Sequence, residues 1–287
     1  MQDQCRRDLA ERRGHRVRPA SLPELVNLVA DPDPHRETAR RRLGADDERD
    51  LFPQALRLVE EAQPRAVLLE NVRGLATSRF AGYRADILLR LHALGYATQW
   101  QVINACEHGV SQLRPRFVLL GVKEKYASSL TWPQPQGTPP TVGEAIGDLM
   151  AANGWPGAPA WRARARGIGP TLVGGSRKHG GPDLGPTRAR ADRAALGVNG
   201  KTLAEAPPQL EDPVDHMPRL TLRMAARIQG FPDDWQFSGR KTAAYRQIGN
   251  AFPPPVARAL GTALATALGS TVKTTIPGQR LRRLAAV

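Results

Sequence analysis

The 287 residues, 31.3 kDa, suffice for one large domain, or for one domain with a smaller lobe. A composition 41% hydrophobic excludes wholesale disorder, and no apolar run is long enough for a membrane span. Two cysteines, Cys5 and Cys106, make neither a disulfide framework nor a Cys-x-x-Cys zinc site, and the charged residues 1–14 lack the apolar stretch of a secretory signal. A reducing cytoplasm is the expected compartment.

The charge is uneven. Residues 1–50 hold 11 basic and 11 acidic groups, residues 51–150 hold 10 and 8, and residues 151–287 hold 20 and 8, a net of +12 in the last part. A surplus gathered in one half is the footprint of a polyanion surface, most often nucleic acid. General solubility with a compositional bias is the other reading, since only 6 of the 41 basic residues are lysine.

Residues 1–42 contain no aromatic residue and read as an atypical segment, with a helix conceivable over 22–30. From Leu51 the texture changes. Leu51, Phe52, Leu56 and Val59 recur at helical spacing up to Pro64. Residues 66–69 form a short apolar run of buried-strand type, flanked by polar Glu70-Asn71. Ile87, Leu88, Leu91 and Leu94 stripe a second helix that stops at Gly95, and residues 96–103 and 117–122 read as strands around a polar loop. Helix, strand, helix, strand is the rhythm of an α/β sheet.

Residues 131–141 are Pro-rich and read as a boundary before a short helix over 142–150. Residues 151–218 are dense in Gly, Pro and Arg with little periodicity; Thr171-Leu172-Val173, Trp155 and Trp161 favour a small folded lobe over a disordered linker. Thr221 suits the N-cap of a helix that Gly230-Phe231-Pro232 ends. A last helix starts near Pro254-Pro255 and runs to about Leu268, followed by a basic tail, 271–287.

Three strings carry chemistry. Glu70-Asn71-Val72 follows the first strand, and in an open α/β sheet a carboxylate beyond a strand's carboxyl end points into the ligand site, though a solvated Glu is the commoner fate of such a residue. In Gln112-Leu113-Arg114-Pro115-Arg116 the arginines alternate, so an extended segment puts both on one face, able to bind phosphate, carboxylate or the carbonyl edge of a base, or simply to form an exposed basic loop. Gly249-Asn250 reads as a turn feeding a proline-started helix.

In this order and spacing, over about residues 40–268, these strings resemble the cytosine-5 DNA methyltransferases. Glu70-Asn71-Val72 is similar to that family's Glu-Asn-Val motif, and Gln112, Arg114 and Arg116 to its Gln-x-Arg-x-Arg motif. The segment from Arg219-Leu220-Thr221 to Gln229-Gly230-Phe231-Pro232 resembles the close of its target-recognition region. Gly249-Asn250 with the prolines resembles its last motif. The resemblance implies a partial Rossmann-like, S-adenosylmethionine-dependent methyltransferase domain over 43–150. An irregular target-recognition lobe would span 151–240, with 241–270 closing back onto the catalytic domain.

It also implies roles. Glu70 would hold and protonate N3 of a cytosine flipped out of double-stranded DNA, Arg116 would bind the base O2, and Arg114 would support the loop. Leu51, Asn250 and Ala251 would contact the cofactor. Arg177, Lys178, Arg188 and Arg190 would bind DNA. The family's Asp-Leu-Phe-x-Gly-x-Gly cofactor loop and Pro-Cys-Gln nucleophile loop do not occur in the 287 residues, and Cys5 and Cys106 stand in the wrong surroundings to replace the thiol. The expectation is therefore a restriction-modification methyltransferase present as a truncated or frameshifted copy, or as one subunit completed by an N-terminal partner. A non-catalytic DNA-binding remnant is the alternative. The sheet is expected to show an unpaired edge.

Overall fold

A computed structural model of the chain describes residues 50–174 and 184–270. The expectations for residues 1–49 and 271–287, and for Arg177 and Lys178, lie outside the described residues. The described part of the chain opens with α1 (Phe52–Ala62), β1 (Ala66–Val72), α2 (Ala81–Ala93), β2 (Tyr96–Asn104) and β3 (Pro115–Lys123). The helices α3 (Val142–Met150), α4 (Ala158–Arg164), α5 (Thr187–Ala195) and α6 (Leu222–Ile228) follow. It closes with α7 (Lys241–Asn250) and α8 (Pro254–Ala267).

All three strands share one sheet, in the order β1-β3-β2, with β3 antiparallel to both neighbours. β1 and β2 are therefore parallel to each other. The segment carrying α2 joins them as a crossover that skips one strand position, and β3 fills it. Among the described residues the outer edge of β1 has no partner strand.

Alternation along β3 builds two cores. Phe117 and Leu119 pack with Phe52, Leu56 and Val59 of α1 and with Ile87, Leu88 and Leu91 of α2. Val118, Leu120 and Val122 pack on the opposite face with Val256 and Leu260 of α8. Helices thus cover both faces, which explains why β3 is a continuous apolar run. Each such side chain, fully buried, contributes about 1.5–3 kcal/mol.

The lobe has its own core, drawing Ile146 and Met150 from α3, Trp161 from α4, Met224 from α6, and Tyr245 and Ile248 from α7. Trp155 and Trp161 fold the irregular stretch: their indole N–H groups donate to the carbonyls of Pro213 (2.9 Å) and Gly197 (3.0 Å), so both rings are buried with their polar atom satisfied. Thr141 and Glu144 form a reciprocal capping box on α3, and Thr221 caps α6 by accepting from the Met224 N–H at 3.3 Å.

Four sequence expectations need correction. Glu70-Asn71-Val72 does not follow β1 but lies within it, because the ladder continues to Val72 opposite Arg116. The polar loop before β3 is interior: Asn104, Glu107, His108, Ser111 and Gln112 are all buried, held against the lobe. Residues 151–218 contain two helices, α4 and α5, whose alanines and arginines give no apolar stripe. Gly249-Asn250 is not a turn opening a helix but the last turn of α7, whose buried face is Ala244, Tyr245 and Ile248.

Candidate functional site

The site lies where β1 ends and β3 begins. Glu70 stands opposite Val118 in the ladder, and Arg116 opposite Val72. Both therefore project from the face that α8 covers. Arg116 Nε is 2.8 Å from a carboxylate oxygen of Glu70, and both side chains are largely withdrawn from solvent. Burial pushes the Glu70 carboxyl above its ordinary range, against the pull of Arg116 and then Arg114. Burial likewise lowers Arg116, which Glu70 partly restores. A carboxyl so placed can carry a proton at a pH where an exposed one would not.

Arg114 is 1% exposed and does a different task. Its guanidinium donates to the carbonyls of Leu172 (2.6 Å), Gly249 (2.7 Å) and Ala251 (2.9 Å), joining the loop before β3 to the lobe and to the junction between α7 and α8. Gln112, wholly buried, accepts from the Leu172 N–H at 3.0 Å. Arg114 and Arg116 both oppose the upward shift of the Glu70 carboxyl, Arg116 the more strongly. Arg114 is nonetheless turned to carbonyl groups of the protein and not to an open pocket.

Asn250 is exposed, at the end of α7, with its side-chain amide against Gly174. A Cβ on Gly249 would lie 2.5–2.6 Å from backbone atoms of Val173 and Gly174, so only glycine allows this approach. Ala251 has its carbonyl engaged by Arg114 and Gln229 and is partly buried, packed against the lobe core. Leu51 is 70% exposed beside Asp50, which accepts from the Tyr83 hydroxyl in the first turn of α2. That contact sets Leu51 at the end of the sheet where β1 finishes, on the α1 side.

On the lobe, Arg188 is exposed on α5, and Arg190 is half-buried with its Nε donating to the Gly185 carbonyl at 3.0 Å. Arg193, on the same helix, is buried and donates to the carbonyls of Leu184, Pro170 and Thr171, so its charge is structural. Cys106 is completely buried in a small cluster with Ile168 and Leu113. Gln229 escaped the sequence reading: it sits in the quoted string ending the lobe, but a single glutamine among helix residues gives no sign of burial.

The model of the C-5 cytosine-specific DNA methylase family matches residues 38–266, a stretch containing every element of this site. The chain belongs to that family. It is 56% identical over 246 residues to the type II methyltransferase M.NaeI of Lentzea aerocolonigenes, covering 85% of this chain and 60% of that protein. It is 47% identical over 248 residues to M.NgoMIV of Neisseria gonorrhoeae, covering 85% of this chain and 78% of that one. The chain thus spans about three fifths of the length of M.NaeI. Among solved structures, the Entamoeba histolytica methyltransferase EhMeth aligns over 88% of this chain and 75% of its own, at 14% identity and a TM-score of 0.48. In this C-5 cytosine methylase family member the Glu-Asn-Val string lies on β1, and the Gln-x-Arg-x-Arg string leads into the adjacent strand β3. No helix among the described residues is long and apolar enough to cross a membrane, and no cluster of His, Cys, Asp or Glu there could hold a metal ion.

Proposed function

We propose that these residues form the base-holding and DNA-reading part of a type II DNA (cytosine-5-)-methyltransferase of a restriction-modification system. The observation that carries this reading is the Glu70–Arg116 pair: a carboxyl whose pKa burial raises and a guanidinium 2.8 Å apart at one end of the sheet. A cytosine flipped from double-stranded DNA would replace Arg116 as the partner of Glu70. Glu70 would hold N3 and the exocyclic amine and supply a proton to N3 as a thiolate adds to C6, making C5 nucleophilic. Arg116 would take the base O2, and Arg114 would keep Arg116 in place.

Bound S-adenosylmethionine would supply the methyl group. The exposed Leu51, the exposed amide of Asn250 and the methyl of Ala251 fit a contact with its apolar and polar parts. Arg188 and Arg190, with Arg177 and Lys178, would anchor DNA phosphates. The thiol and the glycine-rich cofactor loop would come from outside these 287 residues, either from a continuous longer chain or from a separate subunit, because no Pro-Cys-Gln string lies within them.

The test mixes the chain with a fragment of a relative carrying both missing loops, and follows radioactive methyl transfer from S-adenosylmethionine to unmethylated DNA. Transfer by the mixture but by neither part alone supports the reading, and Cys106→Ser leaves it nearly intact. Absence of transfer with both parts folded and DNA bound favours a non-catalytic DNA-binding role. Robust transfer by the chain alone, lost on Cys106→Ser or Cys5→Ser, places the nucleophile within it.

A further inference from the structure

Five hydrogen bonds, three of them buried and two partly buried, close a ring beneath the site. Gln112 Oε1 accepts from the Leu172 N–H, and the Leu172 carbonyl accepts from Arg114. Arg114 also donates to the Ala251 carbonyl, which accepts in addition from Gln229 Nε2 at 2.6 Å. Gln229 Oε1 then accepts from Gln112 Nε2, completing the circuit. The fixed donor at Leu172 and the fixed acceptor at Ala251 dictate the orientation of both amides. Gln112 and Gln229 are each 0% exposed, so water cannot stand in for a lost partner.

The circuit joins the segment leading into β3, the middle of the lobe, the end of α6 and the α7–α8 junction. Two of its members adjoin functional groups in sequence. Arg114 is two residues from Arg116, and Ala251 is next to Asn250. Gln229 is fully buried and ties the end of α6 to both Gln112 and Ala251, beside a second bond from Gln112 Nε2 to the Ile228 carbonyl at 3.3 Å. Gly230, directly after it, has φ +88°, and a Cβ there would meet the Pro255 ring at 2.6 Å, so the same turn also abuts the start of α8.

We infer that Gln229 is a positioning residue: by closing this circuit it holds Arg114 and Arg116 against Glu70, so that the lobe and the base-holding strands are aligned as one unit. The inference rests on reading Glu70 and Arg116 as the base-holding pair. It predicts that an uncharged side chain outside the pocket governs the electrostatic surroundings of Glu70.

The test uses the full chain with glutamate labelled by 13C at the carboxyl carbon, the Glu70 signal being assigned by its loss in Glu70→Gln. Gln229→Met breaks the circuit, and Gln112→Met/Gln229→Met removes both amides while keeping side-chain length. The expected result is that the Glu70 titration midpoint moves upward in both variants, because Arg114 and Arg116 no longer restrain it. The double variant also strands the buried Leu172 N–H, which Gln112 alone accepts from, so it melts below the single one, while the Glu70 midpoint moves alike in both. A midpoint unchanged in either folded variant, or one that shifts in step with the melting temperature, overturns the inference and makes Gln229 a packing residue. If Gln229→Met does not fold, Gln229→Asn, whose shorter amide cannot reach both Gln112 and Ala251, supplies the same comparison. The titration requires no methyl transfer, so a failed reconstitution leaves it readable, and an unmoved midpoint leaves the proposed reaction intact.

Discussion

Glu70 and Arg116 are diagonal neighbours across the β1–β3 ladder, two residues out of direct register, and their charged ends meet at 2.8 Å. In direct register Arg116 stands against the exposed Val72, and Glu70 against the core residue Val118, neither of which can pair with a charge. The diagonal instead lets the long guanidinium reach back toward the carboxyl. In the reconstituted pair, Glu70→Gln and Arg116→Ala are each expected to reduce methyl transfer by about 100-fold or more. Initial rates of tritium incorporation check this, and a variant within a few-fold of wild type contradicts it.

The raised Glu70 carboxyl has a pH consequence with a definite sign. The folded chain retains this proton to higher pH than the unfolded chain does. Its contribution to stability is thus complete below the ordinary carboxylate pKa and is lost as pH rises through the raised value. Glu70→Gln has no proton to lose, so the difference in urea midpoint between the two proteins shifts in favour of the variant as pH increases from about 4 to about 8. A difference that stays constant across that range contradicts the prediction.

DNA affinity should fall steeply with salt, since 20 basic residues stand against 8 acidic ones in residues 151–287. Arg188 is exposed on α5 and has the simplest expected role, a phosphate contact. Arg188→Ala should weaken binding to all duplex sequences alike and reduce the slope of log affinity against log salt by about one. Fluorescence anisotropy at several salt concentrations measures both quantities, and a sequence-selective loss would mean that Arg188 reads a base.

Gly249→Ala should destabilise the chain by about 1–3 kcal/mol, because the added methyl must displace the backbone of Val173 and Gly174, not a yielding side chain. Chemical denaturation followed by tryptophan fluorescence gives the value. Trp155 and Trp161 lie in the lobe core that this contact seals.

The sheet and its helices were legible because their signals are local. A continuous apolar run marks β3, the stripe of Ile87, Leu88 and Leu91 marks α2, and Gly95, with φ +78°, ends α2 where expected. The short helix expected over 142–150 is α3. The lobe was harder. α5 is mostly alanine and arginine, and its one buried side chain is a charged residue, Arg193, so no hydrophobic period exists to find. The pairing of Glu70 with Arg116 was not legible, because it depends on the β1–β3 register that sets both on one face. The carbonyl partners of Arg114 and the place of Gln229 were hidden too, because they depend on backbone groups brought together from distant segments, which side-chain identity does not encode.

The position of β3 also sets the order in which the molecule can assemble. β1 and β2 emerge first from synthesis, yet they cannot pair with each other while keeping the gap that β3 occupies. The sheet therefore stays open until residue 123 is available, and its second face stays bare until α8 arrives about 130 residues later. Through that interval the apolar faces of β1 and β2 are accessible to other nascent chains. A chaperone that shields extended apolar segments would improve the yield of this protein most when present during translation, and much less when added after release from the ribosome.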